Sequence, residues 1–203
     1  MAEQENKEKT AGQKLKDELF YKSKNTYEAL SEEDIAAAYD YAADYMKFLD
    51  GGKTERECVK EGVALLEAAG FSPYTFGMKV APGGKYYYNN RGKSLSAFVL
   101  GTESLENGVY FSAAHIDSPR VDLKQHPLYE AEGLGFLKTH YYGGIKKYQW
   151  TTIPLALHGV VTRADGTTVE LVIGEDDSDP VFYIDDLLPH LAGDQMRKSL
   201  ADG

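Results

Sequence analysis

The 203-residue chain has one cysteine, no long apolar run and no excess of positive charge. Cys58 alone cannot form an intrachain disulfide, which suits a reducing compartment. No apolar run approaches the ~18 residues that a membrane-spanning helix needs. Asp and Glu outnumber Lys and Arg by 32 to 22, and the resulting net charge of -10 disfavours nucleic acid and anionic membranes as partners.

The N-terminal sequence MAEQENKEKTAGQK is polar and lacks the apolar core and the small-residue cleavage site of a secretory signal. Together with the single cysteine, this predicts a cytoplasmic location. Hydrophobic residues make up 42% of the chain and charged residues 27%, as is typical of a soluble globular protein.

The pattern from residue 11 to residue 70 predicts helices. Ser31 precedes three acidic residues, which is typical of a helix N-cap, and Thr54 with Glu57 has the spacing of a capping box. Apolar residues recur at helical spacing after each cap: Ile35, Tyr39, Ala42, Met46 and Leu49, then Val59, Val63 and Leu66. These helices are expected to pack on a larger structure.

Short strands are predicted after residue 71, in KYYYNN, LSAFVLG and GVYFSAAH. Ala97–Leu100 and Val109–Ala114 lack clean alternation, which predicts strands buried on both faces in a sheet covered by helices. Beyond residue 120, Asp165-Gly166 separates two strand-like segments and predicts an antiparallel hairpin. We therefore expect an α/β domain over residues 1–120 and a β-rich unit over residues 121–203.

Several common site motifs are incomplete or missing. NNRGKS lacks the first glycine of a phosphate-binding loop, and the sequence has no His-Glu-x-x-His helix, cysteine pair or Gly-x-Ser-x-Gly elbow. The acidic cluster at residues 175–179 lacks the ligand order of a calcium loop, which favours a solvated loop. His126 and His140 share no helical or strand spacing and are interpreted as loop or surface histidines.

AAHIDSP combines a metal-binding residue type with a carboxylate that could orient it. In an extended segment, His115 and Asp117 point to the same face because alternate side chains do so. An imidazole can bind zinc through one nitrogen while a carboxylate holds the other. A structural His–Asp pair would give the same pattern, so the two residues alone leave both interpretations open.

The ordered motifs of residues 71–195 resemble the M18 family of zinc aminopeptidases, the aspartyl aminopeptidase group. They are KYYYNNRGKSLSAFVLG, AAHIDSP, YYGGIKKYQW, HGVV and VFYIDDLLPHL. The resemblance implies a partial three-layer α/β/α metallopeptidase domain with two zinc ions, and an inserted β-rich dimerisation domain. It also implies a peptide substrate and a homo-oligomer formed through the β-rich domain.

Three residues take functional roles by this resemblance. His115 matches the first metal ligand, and Asp117 matches the catalytic carboxylate that orients it. His190 in LLPHL matches the substrate-binding histidine that is donated across the dimer interface; the alternative is a histidine at a helix end. Ile116 replaces the family's usual threonine, and the segment after the Gly143-Gly144 pair departs from the usual pattern, so substrate preference stays open.

The other metal ligands and the catalytic glutamate of the family lie after the inserted domain, and the 203 residues do not include them. The resemblance therefore implies a metal-dependent aminopeptidase that releases N-terminal amino acids, with acidic residues first expected from the group's name. This chain is expected to be a fragment that is inactive alone. The alternatives are a non-catalytic interaction protein that pairs with a full-length subunit, or complementation by a second polypeptide.

Overall fold

The computed structural model of the protein describes residues 9–200. Contacts divide the chain into two compact units, with the division between Lys47 and Phe48. The helices and strands of the described residues are α1 (Ala11–Leu19), α2 (Glu32–Gly51), α3 (Glu55–Ala68), β1 (Ser72–Pro73), β2 (Lys85–Asn90), β3 (Ser94–Val99), β4 (Arg120–Ala131), β5 (Leu134–Tyr142), β6 (Leu157–Thr162) and β7 (Thr168–Ile173). Residues 1–8, where the sequence predicts no export signal, lie outside the described part.

The first unit contains α1 and most of α2. The predicted cap at Ser31 is confirmed, because its hydroxyl accepts a hydrogen bond from the backbone N–H of Asp34 at 3.1 Å. The carboxylate of Asp34 accepts in return from the Ser31 backbone N–H at 3.3 Å, which satisfies two groups at the helix start. The predicted apolar stripe of α2 is exposed at Tyr39 and Met46.

In the second unit, α3 lies against a three-stranded sheet in the order β1-β2-β3. The predicted capping box of Thr54 and Glu57 is present at the start of α3. Val59 of α3 is 1% exposed, and the Tyr87 hydroxyl of β2 donates to Glu67 at 2.6 Å. The mixed α/β class is thus confirmed, whereas the three-layer arrangement stays a prediction.

Two antiparallel pairs make up the β-rich part of the second unit. β4 pairs with β5 in a long ribbon that carries a β-bulge between Leu123 and Leu128. β6 pairs with β7 around the Asp165-Gly166 turn, so the predicted hairpin is confirmed. Exposure alternates along β7, as the sequence pattern predicts. The expected boundary between residues 120 and 121 stays a prediction.

The prediction that Val109–Ala114 is a buried strand is wrong. The segment has no regular secondary structure, and Phe111 is 86% exposed. No strand of the described residues lies beside it, and a lone strand cannot satisfy its backbone hydrogen bonds. β3 is also not buried on both faces, because Val99 is more than half exposed. No helix among residues 9–200 is long and apolar enough to span a membrane.

Candidate functional site

The structure brings His115 and Asp117 together in the irregular segment just before β4. His115 Nδ1 lies 3.0 Å from the backbone oxygen of Asp117 and 3.5 Å from its Oδ1 atom. If Nδ1 carries the ring proton and donates it to these oxygens, Nε2 is unprotonated and has an unshared electron pair. The imidazole is 84% exposed, so Nε2 is accessible to a metal ion.

Asp117 is also held from its other side. The Tyr142 hydroxyl, at the end of β5, donates to Asp117 Oδ2 at 2.7 Å. This hydrogen bond holds the pKa of Asp117 below its usual range, because it stabilises the ionised carboxylate. The same contact raises the pKa of Tyr142, since the hydroxyl would lose its acceptor on deprotonation. Asp117 is therefore a carboxylate near neutral pH.

Arg120 packs on the ring of Tyr142. Its guanidinium carbon lies 4.2 Å from the ring centroid, within cation–π range. Arg120 Nε donates to Asp122 Oδ1 at 2.7 Å, and Nη1 lies 3.4 Å from Glu55 Oε2. Nη1 is buried without a well-formed hydrogen bond, so the contact with Glu55 is an ion pair of imperfect geometry. Through this one side chain, α3 is linked to the pair of His115 and Asp117, which we call the metal corner.

A cleft of about 700 Å³ lies between α3, the β2–β3 turn, the start of β4 and the β6–β7 hairpin. At its edge, His158 Nδ1 lies 2.8 Å from Glu57 Oε1, and Nε2 lies 2.9 Å from Glu175 Oε1. Burial alone would lower the pKa of His158, but the two carboxylates raise it overall. Lys53 also binds Glu175, at 2.6 Å.

Sequence reasoning missed this His158 cluster. HGVV is one of the motifs that resemble the family, but the resemblance gives His158 no role. The sequence predicts that Glu175 lies in a solvated loop. Residues 175–178 do form an exposed loop after β7, as predicted, and within that loop Glu175 also accepts from Lys53 and His158. The remaining acidic residues do form a turn, in which Asp179 accepts from the Gly174 backbone N–H at 2.8 Å.

The other histidines lie apart from the metal corner. His190 is exposed in a turn in which the Leu191 N–H donates to the Leu188 carbonyl, so the alternative of a helix-end histidine is wrong. No hydrogen bond or ion pair joins His190 to His115 in the part of the chain that the structure describes. His126 and His140 are surface residues, as predicted, but they lie on β4 and β5 rather than in loops.

The side chains of His115 and Asp117 could form part of a zinc site, but they do not form a complete one. Imidazole nitrogen is a preferred zinc ligand, and a carboxylate on its other nitrogen is the usual supporting group. Within residues 9–200, however, no three histidine, cysteine or acidic side chains are grouped so that they could hold a metal ion. A complete centre needs ligands in addition to His115.

The family model for the aminopeptidase I zinc metalloproteases (M18) matches residues 48–202. The chain belongs to the M18 family. A curated M18 relative, "Probable M18 family aminopeptidase 1" of Clostridium acetobutylicum, is 45% identical over 188 residues, which cover 91% of this chain and 40% of the relative. The chain thus spans about 40% of the length of the curated M18 relative.

Solved M18 structures share the fold. The crystal structure of the M18 aminopeptidase from Thermotoga maritima matches with a TM-score of 0.78 and 42% identity, covering 90% of this chain and 39% of that one. The S. cerevisiae mApe1 dodecamer matches with a TM-score of 0.62 and 27% identity, covering 73% and 36%. The description of the M18 family as zinc metalloproteases supports zinc as the metal of the family.

Proposed function

We propose that this chain forms part of a metal-dependent aminopeptidase that releases N-terminal amino acids from peptides. The observation that carries the proposal is the contact between His115 and Asp117 within the segment that the M18 family model matches. The match favours an aminopeptidase over the alternative of a non-catalytic interaction protein. Acidic N-terminal residues are the first substrates to test.

His115 provides one zinc ligand, and Asp117 orients it. The contact of Nδ1 with the Asp117 oxygen at 3.0 Å supports a proton on that nitrogen, which would leave Nε2 available to the metal. His115 would hold one of two zinc ions, whose Lewis acidity would serve to polarise the scissile carbonyl and to lower the pKa of a water molecule. His115 and Asp117 fix one side of that centre, and the remaining ligands come from outside these 203 residues.

The β-rich part and His190 are assigned to assembly. Residues 121–203 would form the inserted dimerisation domain, with β4–β7 as its described strands. Exposure of His190 in its turn suits a residue that contributes to the site of a neighbouring subunit. The dodecameric state of the S. cerevisiae relative supports a homo-oligomer built from such contacts.

A chimera tests the proposed activity. Residues 48–202 of this chain would replace the matching segment of the Thermotoga maritima relative, and zinc-dependent hydrolysis of aspartyl and leucyl chromogenic substrates would be measured. We expect activity that His115→Ala abolishes and that Asp117→Asn lowers about 10- to 100-fold, because it removes the group that orients the ligand. The 203-residue chain alone is expected to give no turnover.

His126→Ala is the matched control, because His126 is exposed on β4. It should retain the chimera's activity. An active, folded chimera in which His115→Ala turns over as fast as His126→Ala would contradict the assignment of His115. A preference for leucyl over aspartyl substrate would leave the aminopeptidase proposal intact and overturn the expectation of acidic specificity.

A further inference from the structure

We propose that Tyr142 is a positioning residue for the metal corner: its hydroxyl on Asp117 Oδ2 sets the carboxylate orientation that, together with the Asp117 backbone oxygen, holds the His115 ring in its Nδ1–H tautomer. This inference rests on the proposed role of His115. It assigns a function to a tyrosine at the end of the β4–β5 ribbon, outside the AAHIDSP motif.

The two oxygens of Asp117 have different partners. Oδ2 accepts from the Tyr142 hydroxyl at 2.7 Å, and Oδ1 lies 3.5 Å from His115 Nδ1. The same nitrogen lies 3.0 Å from the Asp117 backbone oxygen, so the carboxylate is the second of two acceptors beside it. A carboxylate without the tyrosine could rotate about its terminal torsion, which is broad for aspartate. The hydroxyl therefore selects the orientation in which Oδ1 is turned toward the imidazole. Asp117 is 41% exposed, so packing alone does not fix it.

Tyr142 is itself held by β4, the strand that begins three residues after Asp117. Arg120, the first residue of β4, is the direct cross-strand partner of Tyr142 on β5. Its guanidinium covers the ring at 4.2 Å and is anchored by Asp122. Cross-strand pairs of this kind stabilise both side chains. Arg120 thus holds the Tyr142 ring at the end of the β4–β5 ribbon, and the Tyr142 hydroxyl contacts Asp117.

The backbone beside Tyr142 supports the same arrangement. Gly143 has a φ of 71°, and a Cβ atom there would lie 3.4 Å from the Cα of Pro119. Glycine therefore allows the chain to leave β5 directly against the residue that precedes β4.

The test is ¹⁵N NMR of the His115 ring in the full 203-residue chain at a pH where the ring is neutral. We expect the wild-type ring to show mainly the Nδ1–H tautomer. In Tyr142→Phe, the Nδ1 and Nε2 resonances should shift toward those of Asp117→Asn, because the carboxylate has lost its anchor. Tyr129→Phe is the control: Tyr129 lies on the same ribbon and stacks on Phe136 through its ring, at a centroid distance of 5.2 Å.

A double-mutant cycle decides whether the tyrosine acts through Asp117. Adding Tyr142→Phe to Asp117→Asn should produce no further shift at His115. Unchanged His115 resonances in Tyr142→Phe, or a full additional shift in the double variant, would overturn the proposal. Amide spectra of each variant establish that the chain stays folded.

A zinc titration followed at His115 separates this inference from the proposed function. If Zn²⁺ perturbs His115 with the same apparent affinity in wild type and Tyr142→Phe, and the tautomer is unchanged, the positioning role fails while the metal role stands. If Tyr142→Phe shifts the tautomer but His115→Ala leaves the chimera, which contains the remaining ligands, as active as His126→Ala does, the positioning role stands and the metal role fails. We expect the tautomer shift together with a severalfold weaker zinc response in Tyr142→Phe.

Discussion

His158 is bound at both ring nitrogens, by Glu57 on α3 and by Glu175 after β7. Both contacts are full hydrogen bonds only when both nitrogens carry protons, because a carboxylate is an acceptor. The cluster therefore favours the imidazolium form, and the pKa of His158 is raised from its ordinary value of 6.5. Burial alone would raise the pKa of Glu57, but the hydrogen bonds with His158 and Thr54 lower it overall.

The stability of the chain should depend on pH through His158. Because its folded pKa is raised, its contribution is fully present below the unfolded value of 6.5 and is lost as the pH rises through the folded pKa. The two glutamates act in the opposite sense, with stability lost as the pH falls below about 4.5. Urea unfolding should therefore show the greatest stability between about pH 4.5 and the raised pKa of His158. Above that pKa, the free energy of unfolding should fall by about 1 kcal/mol. This is less than the value of a buried charged hydrogen bond, because Glu175 is exposed to solvent.

His158→Gln should flatten the high-pH part of this profile, because the amide does not titrate. His126→Gln is the matched control, since His126 is exposed on β4, and it should keep the wild-type profile. If the free energy of unfolding of wild type and His158→Gln falls in parallel from pH 6 to pH 9, the His158 cluster does not control stability.

At the scale of elements, the β6–β7 turn depends on one glycine. Gly166 has a φ of 84°, which a residue with a Cβ atom adopts only with strain, although the space around it is open. Gly166→Ala should therefore lower the free energy of unfolding by about 1 kcal/mol. Urea titration of the purified variants measures the change.

Gly159 in β6 is the matched control for Gly166. A Cβ atom there also meets nothing within 4 Å, and its φ is not in the left-handed region. Gly159→Ala should be neutral or stabilising, because the unfolded chain loses conformational freedom. Equal destabilisation by both substitutions would mean that strand packing, rather than turn conformation, limits the hairpin.

Elements set by local chemistry could be predicted from the sequence. The caps at Ser31 and Thr54 and the Asp165-Gly166 hairpin depend on residues within a few positions of one another, and all three are confirmed. Val109–Ala114 was mispredicted because a strand needs a partner elsewhere in the chain. The contact of His115 with Asp117 could be predicted from AAHIDSP, whereas the hydrogen bond from Tyr142, 25 residues away, left no local signal.

The contacts of His158 could not be predicted from the sequence either, because they join residues that are even farther apart along the chain. Glu57 and His158 are 101 positions apart, and nothing in the sequence around either residue indicates their contact. Glu57 had a sufficient local explanation as part of a capping box, and it serves that role while also binding His158. One carboxylate thus joins the start of α3 to the β6–β7 hairpin.

At the scale of the whole molecule, few apolar side chains are buried. Those of the described residues are Cys58, Val59, Tyr87 and Ala192. Many large apolar side chains are exposed, and Val109–Ala114 concentrates them in an uncharged, proline-free segment. Such segments can pair edge to edge with a second chain. Long-range repulsion from the net charge of -10 is screened at physiological salt, so it does not prevent this contact.

The isolated chain should therefore self-associate and bind a hydrophobic dye through this segment. The double variant Tyr110→Ser with Phe111→Ser should lower the associated fraction severalfold, measured by light scattering against protein concentration. Phe20→Ser with Tyr21→Ser removes a second adjacent pair of exposed aromatics, but Glu18 and Lys22 flank that pair, and flanking charges oppose strand association. This control should leave association nearly unchanged. Equal effects of the two double variants would show that total exposed aromatic area, and not the uncharged segment, drives association.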